Sequence, residues 1–247
     1  MTGNPNIIVN ADDFGRDECA TRAIAECFRR GWIHRTTLMV NMPFAEEAVA
    51  IARQEGFMDK VGLHLNLTEG RPLSDEMIRS RFCDRTGCFN LMRNLRNAIR
   101  PFGFRTCDAL RAEIIAQIGK FKGFGLPLLH CDSHHHVHSW LPVASVVLPI
   151  LKHAGVLSVR RPYNVGIGWG GRNLMRRGRN ALFMMLIRKT GLSTTDWFTG
   201  LAEYLEAPAD CPGTVELMAH PYLSSSGEVI DMTNFESHSG HPMREIK

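Results

Sequence analysis

The chain has 247 residues, 44% of them hydrophobic, with 29 Lys and Arg against 25 Asp and Glu for a net charge of +4. That is enough apolar content for one large core, and the charge is too mild to argue for nucleic acid as a partner. No stretch reaches the roughly 18 apolar residues of a membrane span, and "MTGNPNIIVNADDFG" lacks the basic-then-apolar pattern of a signal peptide, so neither is expected. Seven cysteines without a CxxC pair read as reduced thiols and predict a cytoplasmic location.

In chain order, "NIIVNADD" is a β-branched run that stops at paired aspartates, followed by Ala20, Ala23, Ile24, Cys27 and Phe28 at helical spacing. "RTTLMVNMP" and "FAEEAVAIARQEG" repeat strand and helix, and "KVGLHLNLTEGRP" is a third strand ending in a turn. The segment from Leu73 to Arg105 is irregular and long enough to suggest an active-site loop. Leu110, Ile114, Ile115, Ile118 and Phe121 then mark a helix, "PLLHCDS" a strand, "LPVASVVLPILKHAG" a helix, "VLSVRRP" a strand and "GTVELMAHP" the last strand. This alternation predicts a single α/β domain over residues 1–247 with a mainly parallel sheet, open or closed into a barrel.

Ionisable residues gather at the strand ends. Asp12 and Asp13 end the first strand, His64 lies late in the third, Asp132 and His134 end the next, and His220 ends the last. In parallel α/β folds these ends share one rim, so the residues can converge. "DD" before a helix is commonly a capping pattern. Neighbouring side chains point in different directions, however, so one carboxylate can ligate a metal while the other stands ready for proton transfer.

"LLHCDSHHHVHSW" holds five histidines and an aspartate between His130 and His138. Period-2 geometry puts His130 and Asp132 on one face, and a helical turn after Ser133 would align His134 with His138. A catalytic ion takes about three protein ligands, so the remaining histidines orient ligands or meet substrate. Imidazole with carboxylate suits Zn²⁺ and also allows other divalent ions. His34 and His153 read as helix-end or surface histidines, and His238 and His241 as part of a loose tail, all without a role.

Arg160, Arg161, Arg172, Arg176, Arg177, Arg179, Arg188 and Lys189 surround the apolar run "ALFMMLI". They read first as a solvated helix face and second as a surface for an anionic or lipid-linked substrate.

Four blocks, "NADDFG" (Asn10 to Gly15), "GLHLNLTEGRPL" (Gly62 to Leu73), "HCDSHHHVHSW" (His130 to Trp140) and "ELMAHPYL" (Glu216 to Leu223), resemble the YdjC-like carbohydrate deacetylases. That family includes chitooligosaccharide deacetylase and the hopanoid-biosynthesis deacetylase. The resemblance implies a distorted (β/α) TIM-like barrel, one divalent metal ion (Zn or Mg), and hydrolysis of an N-acetyl group on a sugar or glycolipid. Carried over by position, it implies Asp13, His64 and His134 as metal ligands, Asp12 as general base and His220 as general acid. Asp132, His136, His138 and Arg71 fall where substrate or ligand-orienting contacts are expected. Partners on this reading are an N-acetylated sugar or a lipid-linked substrate met peripherally, and a second copy in a homodimer. The family pattern would continue past "HPMREIK" into one more strand and helix.

Two other functions fit the residues alone. A metal-dependent phosphoesterase of the histidine-rich barrel type would hold two or three ions and use the Arg-rich segment for phosphate. A non-catalytic sugar-binding barrel would keep the fold without the reaction.

Overall fold

The computed structural model describes residues 6–90, 102–165, 174–206, 211–234 and 239–244. The elements are β1 (Asn6–Phe14), α1 (Glu18–Arg29), β2 (Arg35–Leu38), α2 (Ala45–Gln54), β3 (Val61–Leu65), α3 (Asp75–Ile78), α4 (Phe104–Gly123), β4 (His130–Ser133), α5 (Leu141–His153) and β5 (Ser158–Val159). They continue with α6 (Leu174–Thr190), β6 (Trp197–Gly200), α7 (Leu201–Glu206), β7 (Thr214–Ala219), β8 (Pro221–Leu223), β9 (Val229–Asn234) and β10 (Ser239–Pro242).

Seven strands form one parallel sheet in the order β5-β4-β3-β2-β1-β7-β6. Its two edges approach each other: a parallel bridge joins Ser158 to Ser193, and the Val159 N–H donates to the Ser193 carbonyl at 2.9 Å. The sheet is thus a curled, distorted TIM-like barrel, the expected fold class.

Local chemistry explains the helices that wrap it. Asp17 caps α1 by accepting from the Ala20 N–H at 2.9 Å, and Ala20, Ala23, Ile24 and Cys27 turn inward. Pro142 occupies the first turn of α5, where a missing N–H costs nothing. Between helices and sheet lies the apolar core, built from residues such as Val9, Phe14, Leu38, Leu63, Ile114, Phe121, Val147 and Leu217.

Inside the barrel the filling is polar. Asn10, Asp12, Thr37, His64, Asp132, Arg160 and Glu216 are all buried there and bonded to one another. His130 also turns inward, and its Nε2 bonds the Thr36 carbonyl at 3.2 Å. A Cβ on Gly62 would meet that imidazole at 2.4 Å, so β3 and β4 pack this closely only with glycine there.

Three expectations need correction. The segment after Leu73 holds α3 and a Cys83–Phe89 bridge, and its helix α4 begins at Phe104, earlier than the Leu110 periodicity suggested; residues 91–101 lie outside the described residues. Buried Glu113 and Gln117 on α4 tie this segment down: Glu113 accepts from the N–H groups of Leu73 and Ser74, and Gln117 bonds both Asn66 N–H and carbonyl. The expected loose tail is an antiparallel sheet, β10-β9-β8, in which His241 pairs with Asp231; His238 lies outside the described residues. Its turn at "SSSGE" and the following "VIDM" are a hairpin signal in the sequence.

Candidate metal and catalytic site

Asp12 and Asp13 depend on a break in β1. The pairing of β1 with β2 runs Ala11↔Thr36 and then Phe14↔Leu38, so one extra residue bulges from β1. Asp13 takes up that residue with φ 68°, in the left-handed region that non-glycine residues seldom occupy. The bulge turns both adjacent carboxylates into the interior, where each is only 2% exposed.

Asp13 Oδ1 stands 3.2 Å from His64 Nε2 and 2.8 Å from His134 Nδ1. Neither nitrogen is aligned as a hydrogen-bond donor, which leaves this buried oxygen without a donor. The far nitrogen of each imidazole meets a carboxylate: His64 Nδ1 lies 2.6 Å from Asp132 Oδ1, and His134 Nε2 lies 2.9 Å from Glu69 Oε2. In the neutral tautomers that donate those N–H groups outward, both inner nitrogens would turn a lone pair toward Asp13, the arrangement of carboxylate-oriented metal ligands. Asp13, His64 and His134 therefore form a buried cluster that could hold a metal ion.

Charge supports the same fit. Asp12, Asp13, Asp132, Glu69 and Glu216 are met by the guanidiniums of Arg16, Arg35 and Arg160, which leaves these paired groups two positive charges short once His64 and His134 are neutral, as metal ligands must be. A divalent cation supplies that charge. A second grouping, Asp12, His64 and Asp132, has similar spacing. Its carboxylates already accept from Arg160, so an ion there would face a guanidinium.

Burial would lower the pKa of His64, but Asp132 and Asp13 outweigh it and push it up to about 10. His134 is raised in the same way against burial, by Asp13 and Glu69. Burial would raise Asp13, yet His134 and His64 hold it well below the usual carboxylate range. In the metal-free chain the raised His64 contributes stability that is complete below the unfolded value of about 6.5 and is lost as pH rises toward about 10. The urea midpoint of chelated protein is expected to fall across that window, and saturating divalent ion should remove the fall. A midpoint independent of pH in chelated protein would contradict this coupling.

Arg160 is the residue the sequence reading misplaced. It was grouped with a solvated face, yet it is 2% exposed at the centre of the barrel. Its Nη1 and Nη2 grip Asp12 at 2.6 and 2.7 Å, Nη2 also meets Asp132 Oδ2 at 2.8 Å, and Nε meets Glu216 Oε1 at 2.6 Å. The available signal was its place in "VLSVRRP", at the end of a predicted strand like the candidate metal ligands and His220. Glu69 was also missed; its N–H bonds Asn66 Oδ1 at 3.1 Å, a turn that fixes the carboxylate beside His134. Arg172 lies outside the described residues.

The other candidates separate. His134 and His138 do not share a helical face, because His135 and His136 both adopt φ 53° and kink the turn between them. His138 is instead bonded to Ser133 Oγ at 2.5 Å and the Arg160 carbonyl at 2.9 Å. Burial lowers its pKa to about 4, against the hydrogen bond to the Arg160 carbonyl and the charge of Asp132, so it serves as a neutral brace for the strand carrying Arg160. His136 packs edge-on against Tyr163 and Phe198, and its buried Nδ1 lacks a hydrogen bond. The pairing Ala11↔Ala219 sets His220 at the level of Asp12, and the His220 N–H donates to Asp231 Oδ1 at 2.7 Å. Arg71 is exposed and its guanidinium bonds the Thr86 carbonyl at 3.4 Å, on the loop after α3.

A cavity of about 240 Å³ beside the histidine turn is lined by His135, His136, Trp140, Tyr163, Arg176 and Arg179, among others. A larger one, about 830 Å³, lies between α1 and α2 and contains none of the cluster residues.

The model of the YdjC-like protein family matches residues 6–243. The chain belongs to this family. A Brevibacillus brevis protein named carbohydrate deacetylase is 36% identical over 232 residues, covering 89% of this chain and 83% of its own. A Vibrio cholerae carbohydrate deacetylase is 37% identical over 148 residues, 59% of this chain; the match spans 55% of the Vibrio protein's length. Among solved structures, an Enterococcus faecalis protein named for cellobiose-phosphate cleavage superposes with a TM-score of 0.70 at 22% identity, covering 99% of this chain and 88% of its own. At that identity the likeness speaks for the fold alone.

Proposed function

We propose that the chain is a metal-dependent hydrolase that removes the N-acetyl group from an N-acetylglucosamine-containing saccharide or glycolipid. Water and the amide yield acetate and the free sugar amine. The observation that carries this reading is the orphaned Asp13 oxygen between two carboxylate-oriented imidazoles, one residue from a second buried carboxylate. The names of the family relatives point to the same reaction.

Asp13, His64 and His134 would hold the ion, and a set of one carboxylate and two imidazoles suits Zn²⁺ while also admitting Mg²⁺. When bound, a divalent ion supplies Lewis acidity toward the acetyl oxygen and toward water. Asp12 accepts the proton of the attacking water. Its Oδ1 is occupied by Asn10 and Arg160, whereas Oδ2 accepts from Arg160 alone and keeps a lone pair free. Arg160 and Asn10 thereby fix the carboxylate plane. His220 donates a proton to the departing amine from the neighbouring strand end. His220→Ala is expected to lower kcat about 10²-fold or more with metal content unchanged. Full activity in that variant would remove His220 from the reaction.

The test is acetate release from a panel of N-acetylglucosamine conjugates, including chitobiose and a glycolipid, after chelation and after adding back Zn²⁺ or Mg²⁺. Metal-dependent acetate supports the reading. A chain that binds one ion and releases none from any substrate contradicts it, and two or three ions per chain would favour the phosphoesterase alternative.

A further inference from the structure

We propose that the outer face of α6 docks the protein on an anionic lipid surface. The inner face of this helix is conventional, with Asn180, Phe183 and Ile187 buried. Its outer face would ordinarily be polar. Here Leu174 is 80% exposed, Met175 85%, Leu182 48% and Met185 56%.

Single exposed leucines are common and mean little; these side chains are aligned. At about 100° per residue, Leu174, Gly178, Leu182 and Met185 fall on one stripe about 80° wide, with Met175 at its border. Arg177 and Arg188 run along one side of the stripe and Arg179 along the other, while Lys189 closes the stripe at its C-terminal end. The helix is therefore apolar on two opposite faces, one packed on the protein and one in solvent, with cations bordering the outer stripe.

That pattern matches a helix lying in a membrane interface. Apolar side chains enter the acyl boundary while flanking arginines reach the phosphates, and their aliphatic stems extend the apolar area. Charge decides between a lipid surface and a second copy of the chain. From Leu174 to Thr190 there are five basic residues and no acidic one. Among the described residues no carboxylate pairs with Arg177, Arg179, Arg188 or Lys189. Two copies packed stripe to stripe would bring like charges together, whereas anionic headgroups neutralise them. Arg176, Arg179 and Asn180 of the same helix also line the cavity beside the histidine turn, so docking would hold that cavity near the surface.

The inference stands apart from the deacetylation reading, since binding is measured without turnover. The full chain would be floated with phosphatidylcholine vesicles, with and without phosphatidylglycerol, at low and high salt. Binding is expected only to the anionic vesicles and should weaken with salt. Arg177→Gln with Arg188→Gln and Lys189→Gln should lower partitioning on the order of 100-fold. Leu182→Gln with Met185→Gln leaves the charge unchanged and should lower it about tenfold or more while the circular dichroism stays the same. No binding to anionic vesicles overturns the proposal. So does wild-type binding by the Leu182/Met185 variant, which would reduce the effect to diffuse charge attraction. A dimer in sedimentation velocity that this variant abolishes would make the face a contact between copies instead.

Discussion

Arg160→Leu is expected to lower the free energy of unfolding by about 3–5 kcal/mol, the cost typical of removing one partner from a buried ionic network. Asp12, Asp132 and Glu216 all accept from this one guanidinium, and none of them is exposed enough to recover by hydration. Arg35 would remain for Glu216 at 3.0 Å and His64 for Asp132 at 2.6 Å, but Asp12 would lose its guanidinium partner while still facing Asp132 in the interior. Arg160→Lys keeps the charge and loses the planar fork, so it should restore only part of the stability. Urea unfolding followed by far-ultraviolet circular dichroism at neutral pH measures both variants. A midpoint for Arg160→Leu equal to the wild type would mean that the network is not what holds the barrel interior together.

Asp12→Asn and Asp13→Asn are expected to fail differently. Asp12→Asn should bind metal nearly as the wild type does and lose about 10²–10⁴ in the rate of acetate release, the usual worth of a positioned base. The amide keeps the shape but cannot take the water's proton. Asp13→Asn, like His134→Ala, should lose the ion itself, because each removes one of three inner ligands. Metal content by atomic absorption, read beside acetate release, separates the two. Loss of metal in Asp12→Asn with retention in Asp13→Asn would exchange their roles.

Much of the architecture was legible because the local signals agree. β-branched runs ending in polar residues, followed by 3.6-period helices, left a parallel α/β sheet as the simplest arrangement, and strand-end positions singled out Asp12, Asp13, His64, Asp132, His134 and His220. The antiparallel sheet β8–β10 and the start of α4 were not read. Short hairpin strands and a helix beginning with a Phe-Arg-Thr-Cys stretch carry weak periodicity. Arg160 was misread for a different reason: an arginine beside another arginine looks solvated until its partners are known.

From the sequence alone came the ligand types, their order and their place at the strand ends, since these follow from residue identity and from periodicities within each segment. Only the tertiary structure decided how they are used. The bulge at Asp13 turns adjacent carboxylates to the same interior, and the left-handed pair His135 and His136 sends His134 and His138 to different partners. Arg160 joins carboxylates from three other strands. Each depends on pairings between segments far apart in the chain, and the energy of a buried charge is set by neighbours that no local pattern names.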